Sequence, residues 1–439
     1  MKTIDCIPTG KISRAVKLLK TGAKVGGNYL KYYGEKAINP DLDKEKLNQA
    51  NAEDIYDSLK ELKGSALKAA QMMSMEKSFL PRAYVEKFSL AQFSVPPLSG
   101  PLVKNVFLKS FGKFPNQIFD SFNEESVNAA SIGQVHKASK NGKTLAVKIQ
   151  YPGVAESISS DLALVKPIAM KLFNMKGADS DKYFREVENM LKEETNYLLE
   201  LTQSIEIANA CQHINNLRFP KYYQEYSNNR VLTMDWMEGK HLSEFKPKNQ
   251  KEANKIGQTL WDFYMFQIHN LKKVHADPHP GNFLVDSENN LIAIDFGCIK
   301  VIPEDFYEPH FKLALSTDID NKTVLNEALK SLEIIRDDDS AKEIEFFTAL
   351  FSNMLMLLTE PLKVEKFDFG NPEFFGQIIK LGEKYSNSTE LRKMNGNRGS
   401  KHFLYVNRVF FGLYSMLNEL RADIEINSYQ QYLNVETHI

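Results

Sequence analysis

Three short stretches carry the side chains best suited to chemistry: His275-Ala276-Asp277, Asn282 five residues after that aspartate, and Asp295-Phe296-Gly297. Phosphoryl transfer needs such a set. One carboxylate must orient or deprotonate the incoming nucleophile, and hard oxygen or amide ligands must hold Mg2+ on a triphosphate. Asp277 suits the first task, and Asn282 and Asp295 suit the second. The apolar run Leu291-Ile292-Ala293-Ile294 reads as a strand that delivers Asp295 to the same place. Each stretch alone is an ordinary turn sequence, but the three together, in this order and spacing, are hard to produce by chance. His275 and His279 also stand four apart, as a helical metal pair would. Pro278 and Pro280 argue against a continuous helix there, and so against a zinc site of that kind.

A triphosphate also needs a cation. Lys148, in Ala146-Val147-Lys148-Ile149, sits on a strand-like segment about 130 residues before Asp277. A lone lysine on a strand is more often a solvated edge residue. Its place just after a glycine-containing strand pair fits instead the lysine that touches the α- and β-phosphates of ATP in protein kinases. A partner carboxylate should come from a helix between Lys148 and Asp277, where Glu193, Glu194 and Glu200 are the candidates. Before the lysine the chain reads Asn128-Ala129-Ala130-Ser131-Ile132-Gly133, with alanines where a phosphate-covering loop would carry glycines. Alanine restricts close backbone approach to phosphate, so an altered nucleotide preference and slower or redirected transfer are expected.

The elements that must position these groups follow from pattern and composition. The 439 residues allow two or three domains, and 43% hydrophobic with 25% charged residues is ordinary for a globular protein. A net charge of −1 gives no general pull towards nucleic acid. Cys6, Cys211 and Cys298 show no CxxC spacing, which suits a reducing compartment. Neither a secretory leader pattern nor a run of about 18 apolar residues is seen, so a cytoplasmic protein with at most peripheral membrane contact is expected.

Residues 11–36 carry seven basic residues from Lys11 to Lys36 against Glu35, with Ile12, Ala15, Val16, Leu19, Ala23 and Leu30 at helical spacing. They predict a basic amphipathic helix loosened by Gly22, Gly26 and Gly27. It could lie on an anionic membrane, or pack on the protein with a solvated basic face. A helical pattern runs from Asn51 to about Met75, and Pro81, Pro96, Pro97 and Pro101 then break the chain. Strand patterns at 134–138 and 145–150 flank an Asn141-Gly142 turn. Residues 160–210 return to helix and 230–234 form a short strand. From about 253 the chain reads as mainly helical, with strand-like pieces near 283–285 and 291–294. A strand-rich part before a helix-rich part predicts an α+β chain with two lobes and a cleft. The expected divisions are a helical extension at 1–115, an N-lobe with a helical insertion at 116–234, and a helical C-lobe at 235–439.

Taken together, these motifs resemble one family. Asn128-Ala129-Ala130-Ser131-Ile132-Gly133-Gln134-Val135-His136 is similar to the alanine-rich loop of the UbiB/AarF/ADCK atypical kinases, and residues 275–282 to their catalytic loop. Lys68-Ala69-Ala70-Gln71 resembles the family's Lys-x-Gly-Gln motif, and residues 231–239 its strand and hinge, with Met234 and Met237. The resemblance covers about residues 11–305 and implies a two-lobed protein-kinase-like fold with a helical N-terminal extension. It further implies that ATP and Mg2+ are bound, with Ala129, Ala130, Ser131, Lys148, Met234 and Met237 around the nucleotide and Glu200 as the partner of Lys148. Lys68 and Gln71 would reach into the nucleotide pocket and Glu194 would support Lys68. Two departures stand out: Ala70 replaces the motif's glycine, and Asn196 replaces the aspartate of a Glu-x-Asp motif, which should weaken that clamp.

The resemblance implies a kinase-like ATPase that supports isoprenoid-quinone biosynthesis, with a lipid or quinone precursor and an anionic membrane surface as candidate partners. A phosphotransferase acting on a small-molecule or lipid hydroxyl would use the same residues. A nucleotide-sensing scaffold without useful turnover is the third reading.

Overall fold

The computed structural model describes residues 11–39, 43, 45–62, 65–75, 83–84, 87, 97–129, 132–172, 178–314, 321–386 and 399–433. Pro81, Pro96, Ala130, Ser131 and Cys6 lie outside them. The chain divides into two compact units, Met1–Thr202 with Lys221–Trp236, and Gln203–Pro220 with Met237–Ile439.

The first unit opens on helices α1 (Lys11–Ile38), α2 (Glu45–Leu62), α3 (Ser65–Met75), α4 (Gly100–Phe111) and the short α5 (Pro115–Ile118). The strands β1 (Ser121–Phe122), β2 (Asn128–Ala129), β3 (Gly133–Lys140), β4 (Lys143–Gln150) and β6 (Val231–Asp235) make one antiparallel sheet. Its order is β1-β3-β4-β6, with β2 on β3, so β4 is an interior strand. The β3–β4 hairpin turns at Asn141 (φ 51°) and Gly142 (φ 75°). Two consecutive left-handed residues match the twist of the strands they join. Helices α6 (Val154–Leu172), α7 (Ala178–Glu194) and α8 (Tyr197–Ala210) follow β4.

Helix α1 runs unbroken for 28 residues, against the expectation that its glycines would loosen it. No side chain or backbone lies within 4 Å of where a Cβ would sit on Gly22, Gly26 or Gly27, so they cost only propensity, about 1 kcal/mol each. Packing supplies what propensity lacks. Thr21, Val25 and Tyr32 are buried, and Thr21 and Asn28 hydrogen-bond to Ser58 and to Asn51 and Asp54 on α2. The apolar residues Val16, Leu19 and Leu30 lie on the other side of the helix at 100° per residue, and Leu19 and Leu30 are 69% and 78% exposed.

The second unit contains β5 (Leu217–Arg218), β7 (Lys240–His241), β8 (Lys273–His275), β9 (Phe283–Val285), β10 (Leu291–Ala293), β11 (Ile299–Val301), β12 (Lys366–Asp368) and β13 (Asp423–Glu425). Its sheets are β5-β10-β9-β7, β8-β11 and β12-β13. The helices are α9 (Gln250–His269), α10 (Glu304–Ala314), α11 (Lys322–Ser331), α12 (Ala341–Leu358), α13 (Pro372–Ser386), α14 (Lys401–Leu420) and α15 (Gln430–Leu433). The reading of a mainly helical segment with two strand pieces missed four strands here. Each is only three residues long, too short to show a period of two. Helix α9 is the spine of the unit, and its Trp261, Phe263 and Tyr264 are wholly buried.

His269 on α9 and His310 on α10 are buried as well, the first bonded through Nδ1 to the Tyr307 hydroxyl at 2.8 Å. Burial pushes their pKa values down, to about 3 for His269, with Lys272 and His310 adding to the effect, and to about 4 for His310. In the unfolded chain both titrate near 6.5. Between about pH 6.5 and 4 the unfolded chain therefore binds protons that the folded chain refuses, and stability falls as pH falls. Denaturant unfolding at pH 7 and pH 5 should show this loss, at most about 1.4 kcal/mol per pH unit for each histidine. His310→Phe, which keeps a ring beside Phe306, should flatten the slope; an unchanged slope would remove His310 from this account.

Candidate functional site

In the first unit the candidate residues gather on one face of the sheet. Lys148 lies opposite Val135 on β3 and Leu232 on β6, and Ala146 lies opposite Met234. The period of two puts Val135, Ala146, Lys148, Leu232 and Met234 on the same side. Tyr197 and Leu201 of α8 join Ala146, Leu232 and Met234 in one buried cluster. Lys148 is 8% exposed, and its Nζ lies 2.8 Å from Oε1 of Glu200, which is 2% exposed. Nζ also stands 5.1 Å from the centre of the Tyr197 ring. Of the three glutamates offered by the sequence, Glu200 is the one that meets Lys148.

Glu194, the last residue of α7, pairs instead with Lys68 of α3 at 2.6 Å, also largely buried. The same helix is anchored by Ser65, whose hydroxyl donates to the buried carboxylate of Asp161 on α6. Ala70 is buried on α3. Gln71 follows it in the helix, but its side chain, like that of Ala129, lies outside what is described.

Asn196 has a positive role that the sequence reading, focused on a lost carboxylate, missed. Its Oδ1 accepts from the Leu199 N–H at 3.1 Å, capping the start of α8 three residues before Glu200. An Asn just before a helical run is a cap signal that was available in the sequence. Gly133 is also fixed by this packing. A Cβ there would lie 2.6 Å from the Ile149 carbonyl and 2.7 Å from the Tyr197 hydroxyl. The chain before the sheet is tied down by a buried relay. Gln134 Oε1 accepts from the Leu98 N–H and its Nε2 donates to His136 Nε2, while His136 Nδ1–H donates to the Asn123 carbonyl. Burial lowers the His136 pKa, in keeping with a neutral ring. Beyond β6, the Trp236 N–H donates to the Thr144 carbonyl, and Met237, half-buried, begins the second unit.

In the second unit, backbone pairing brings the polar residues together. His275 lies opposite Ile299 in the β8–β11 pair, and the Ala276 N–H donates to the Cys298 carbonyl at 2.8 Å. The segments carrying Asp277 and Asp295 therefore leave the same pair side by side. Phe283 lies opposite Ala293 in the β9–β10 pair, and the Ile294 N–H donates to the Asn282 carbonyl at 3.0 Å. This places Asn282 and Asp295 at one end of that pair. Asn282 Nδ2 donates to the Asp277 carbonyl at 2.9 Å, which orients the amide and leaves Oδ1 as the atom for a cation. Asp295 Oδ1 accepts from the Gly297 N–H at 2.9 Å, and the buried Phe296 ring packs on His275, Phe219 and Phe263. Asn282 thus presents an amide oxygen and Asp295 a carboxylate, the donor types that a hard cation takes. That suits Mg2+, which keeps waters and phosphate oxygens in its shell. His275 and His279 do not share a helix: the first ends β8, and the second accepts from the Gly281 N–H at 3.0 Å.

Two supports for this loop carry no motif of their own. Gln267 Oε1 accepts from the His275 N–H at 3.0 Å. Gly412 of α14 lies so near the loop that a Cβ would come within 2.6 Å of the Pro278 carbonyl oxygen. The Gly412 contact joins segments far apart in sequence and the Gln267 bond spans eight residues between two elements, so neither follows from a local motif.

A model of the ABC1 atypical kinase-like domain matches residues 90–328, more than half of the chain. The chain belongs to this family, the UbiB/AarF/ADCK group of kinase-like proteins. It is 31% identical over 289 residues to an uncharacterized aarF domain-containing protein kinase, chloroplastic, of Arabidopsis thaliana, covering 64% of this chain and 40% of that one. It is 30% identical over 314 residues to the atypical kinase COQ8, mitochondrial, of Saccharomyces cerevisiae, covering 70% of this chain and 63% of that one. The solved structure of Rv3197 with erythromycin from Mycobacterium tuberculosis is similar at TM-score 0.59 and 26% identity, over 89% of this chain and 97% of that chain. The chain spans 40%, 33% and 46% of the first three curated relatives it matches. The protein is thus an α+β member of a kinase-like family with a helical N-terminal region. Among the described residues no helix is long and apolar enough to cross a membrane.

Two measurements test this geometry. Lys148→Ala should cost about 3–5 kcal/mol, because it strands a buried carboxylate, while Lys148→Met with Glu200→Leu should cost much less. Equal losses from the single and double variants would deny the pair its part in the fold. Gly412→Ala should lower the unfolding free energy by about 1–3 kcal/mol through overpacking against Pro278; an unchanged melting temperature would show that the loop yields freely.

Proposed function

We propose that this chain is an atypical kinase-like ATPase that binds Mg-ATP and supports or regulates isoprenoid-quinone lipid biosynthesis. The observation that carries the nucleotide part is Lys148, buried on an interior strand and held by Glu200. An ammonium so placed is oriented for phosphate oxygens rather than for solvent. Asn282 and Asp295 are the residues we assign to Mg2+, and Asp277 the group that positions water or an acceptor hydroxyl. Bound Mg2+ would neutralise charge on the β- and γ-phosphates. Met234 and Ala146 offer an apolar wall for the base, with Met237 following β6, and the Ala129–Ser131 segment would cover the phosphates. Lys68, Gln71 and Glu194 are assigned to the clamp on the nucleotide. The quinone part rests on family resemblance and on the relative named COQ8.

Contact with an anionic membrane is part of the proposal. The exposed Val16, Leu19 and Leu30 stripe of α1 is bordered by Lys20, Lys24 and Lys31, the arrangement of an interfacial helix. The anchored α3 and the alanines at 129 and 130 favour a second reading, a nucleotide-sensing scaffold.

The test is Mg2+-dependent ATP hydrolysis with and without anionic vesicles. Asp277→Asn and Asp295→Asn should each reduce turnover by about 100-fold or more. Leu19→Glu with Leu30→Glu should abolish only the vesicle stimulation. Nucleotide binding without turnover would favour the scaffold, and label transferred to lipid a phosphotransferase. Hydrolysis unaffected by either aspartate substitution would overturn the assignment.

A further inference from the structure

Apart from the residues assigned to the nucleotide, the first unit holds a polar hollow of about 650 Å³. It is bounded by α4, the Pro152-Gly153 turn with the first turn of α6, and the Asn228-Asn229-Arg230 turn before β6. Hollows of this size take small molecules. The exposed side chains of Asn105, Lys109 and Asn229 line it and make no hydrogen bond or ion pair among the described residues.

The charges narrow the choice. Glu156, the carboxylate on this lining, is already paired with Arg230. The guanidinium has more N–H donors than that pairing uses. An ammonium, a guanidinium edge and two amides then line the hollow, with its one acid already paired. A compact anion with several acceptor oxygens satisfies such a donor set, and phosphate is the group that basic side chains of this kind bind by charge-assisted hydrogen bonds.

We infer that this hollow is a binding site for a phosphate group, carried either by a soluble molecule or by a lipid headgroup. The site stands independently of the nucleotide proposal. It adjoins the start of α8, because the Asn229 carbonyl accepts from the Tyr197 N–H at 3.4 Å.

Inorganic phosphate titrated into the full chain by calorimetry, with hydrogen exchange on the same samples, tests the site. Lys109→Ala and Asn229→Ala each remove an exposed side chain that makes no hydrogen bond or ion pair among the described residues, so both variants should melt as wild type. Each is expected to weaken phosphate binding by about fivefold or more. Added phosphate should slow exchange in residues 105–110 and 228–230 and at the Tyr197 amide, and not in residues 146–150. Co-sedimentation with phosphatidic acid and phosphatidylcholine vesicles separates the sources. Loss of the phosphatidic acid preference in the double variant assigns a headgroup, and its retention a soluble phosphate. No phosphate binding, binding that survives both substitutions, or protection confined to residues 146–150 would overturn the site.

Discussion

A lysine ammonium held inside a β-sheet domain is the constraint from which the first unit follows. Removing Lys148 from water costs several kcal/mol unless a carboxylate stands beside it, so Glu200 has to be placed to within hydrogen-bond distance. That in turn fixes where α8 begins. Asn196 caps it, Tyr197 packs its buried ring beneath the ammonium, and Gln150 Nε2 donates to the Thr195 carbonyl just ahead of it. Tyr197 then limits what can face it, and position 133 has room only for glycine. The glycine that follows the alanine-rich segment therefore packs against the tyrosine that lies under the lysine.

The second unit reaches its arrangement by other means. Here the polar residues sit on short segments whose positions are set by backbone pairing, β8 with β11 and β9 with β10. Side chains refine what the pairing sets: Asn282 bonds to the Asp277 carbonyl, Phe296 is sunk among aromatic rings, and Gln267 holds the His275 amide. Support of this kind leaves the carboxylates of Asp277 and Asp295 half-buried on well-braced backbone.

What the sequence disclosed and what it hid divide along the range of the interactions. The β3–β4 hairpin was legible because Asn141-Gly142 states its turn locally, and the strand expected at 230–234 because Val231, Leu232 and Met234 give it a mostly apolar run. The three-residue strands β8 and β11 were not, since each is defined by its partner rather than by its own pattern. Which glutamate meets Lys148 was open on the residues alone, with three on neighbouring helix turns, and only the family resemblance pointed to Glu200. Asn196 lacks the carboxylate of the family motif yet caps α8, a role set by its place before the helix rather than by charge. In α1 the apolar residues Val16, Leu19 and Leu30 are exposed rather than packed on the protein. The helix is held instead by Thr21, Val25, Asn28 and Tyr32, a mixed polar face that hydropathy does not mark.

Calorimetric binding of ADP with and without Mg2+, in the wild type and in Asp295→Asn, tests whether these groups bind a magnesium nucleotide. The prediction is that Mg2+ tightens binding at least tenfold in the wild type, about 1.4 kcal/mol, and has little effect in the variant, which still binds the metal-free nucleotide. Binding that is equally Mg2+-dependent in both proteins, or no nucleotide binding in either, would contradict it.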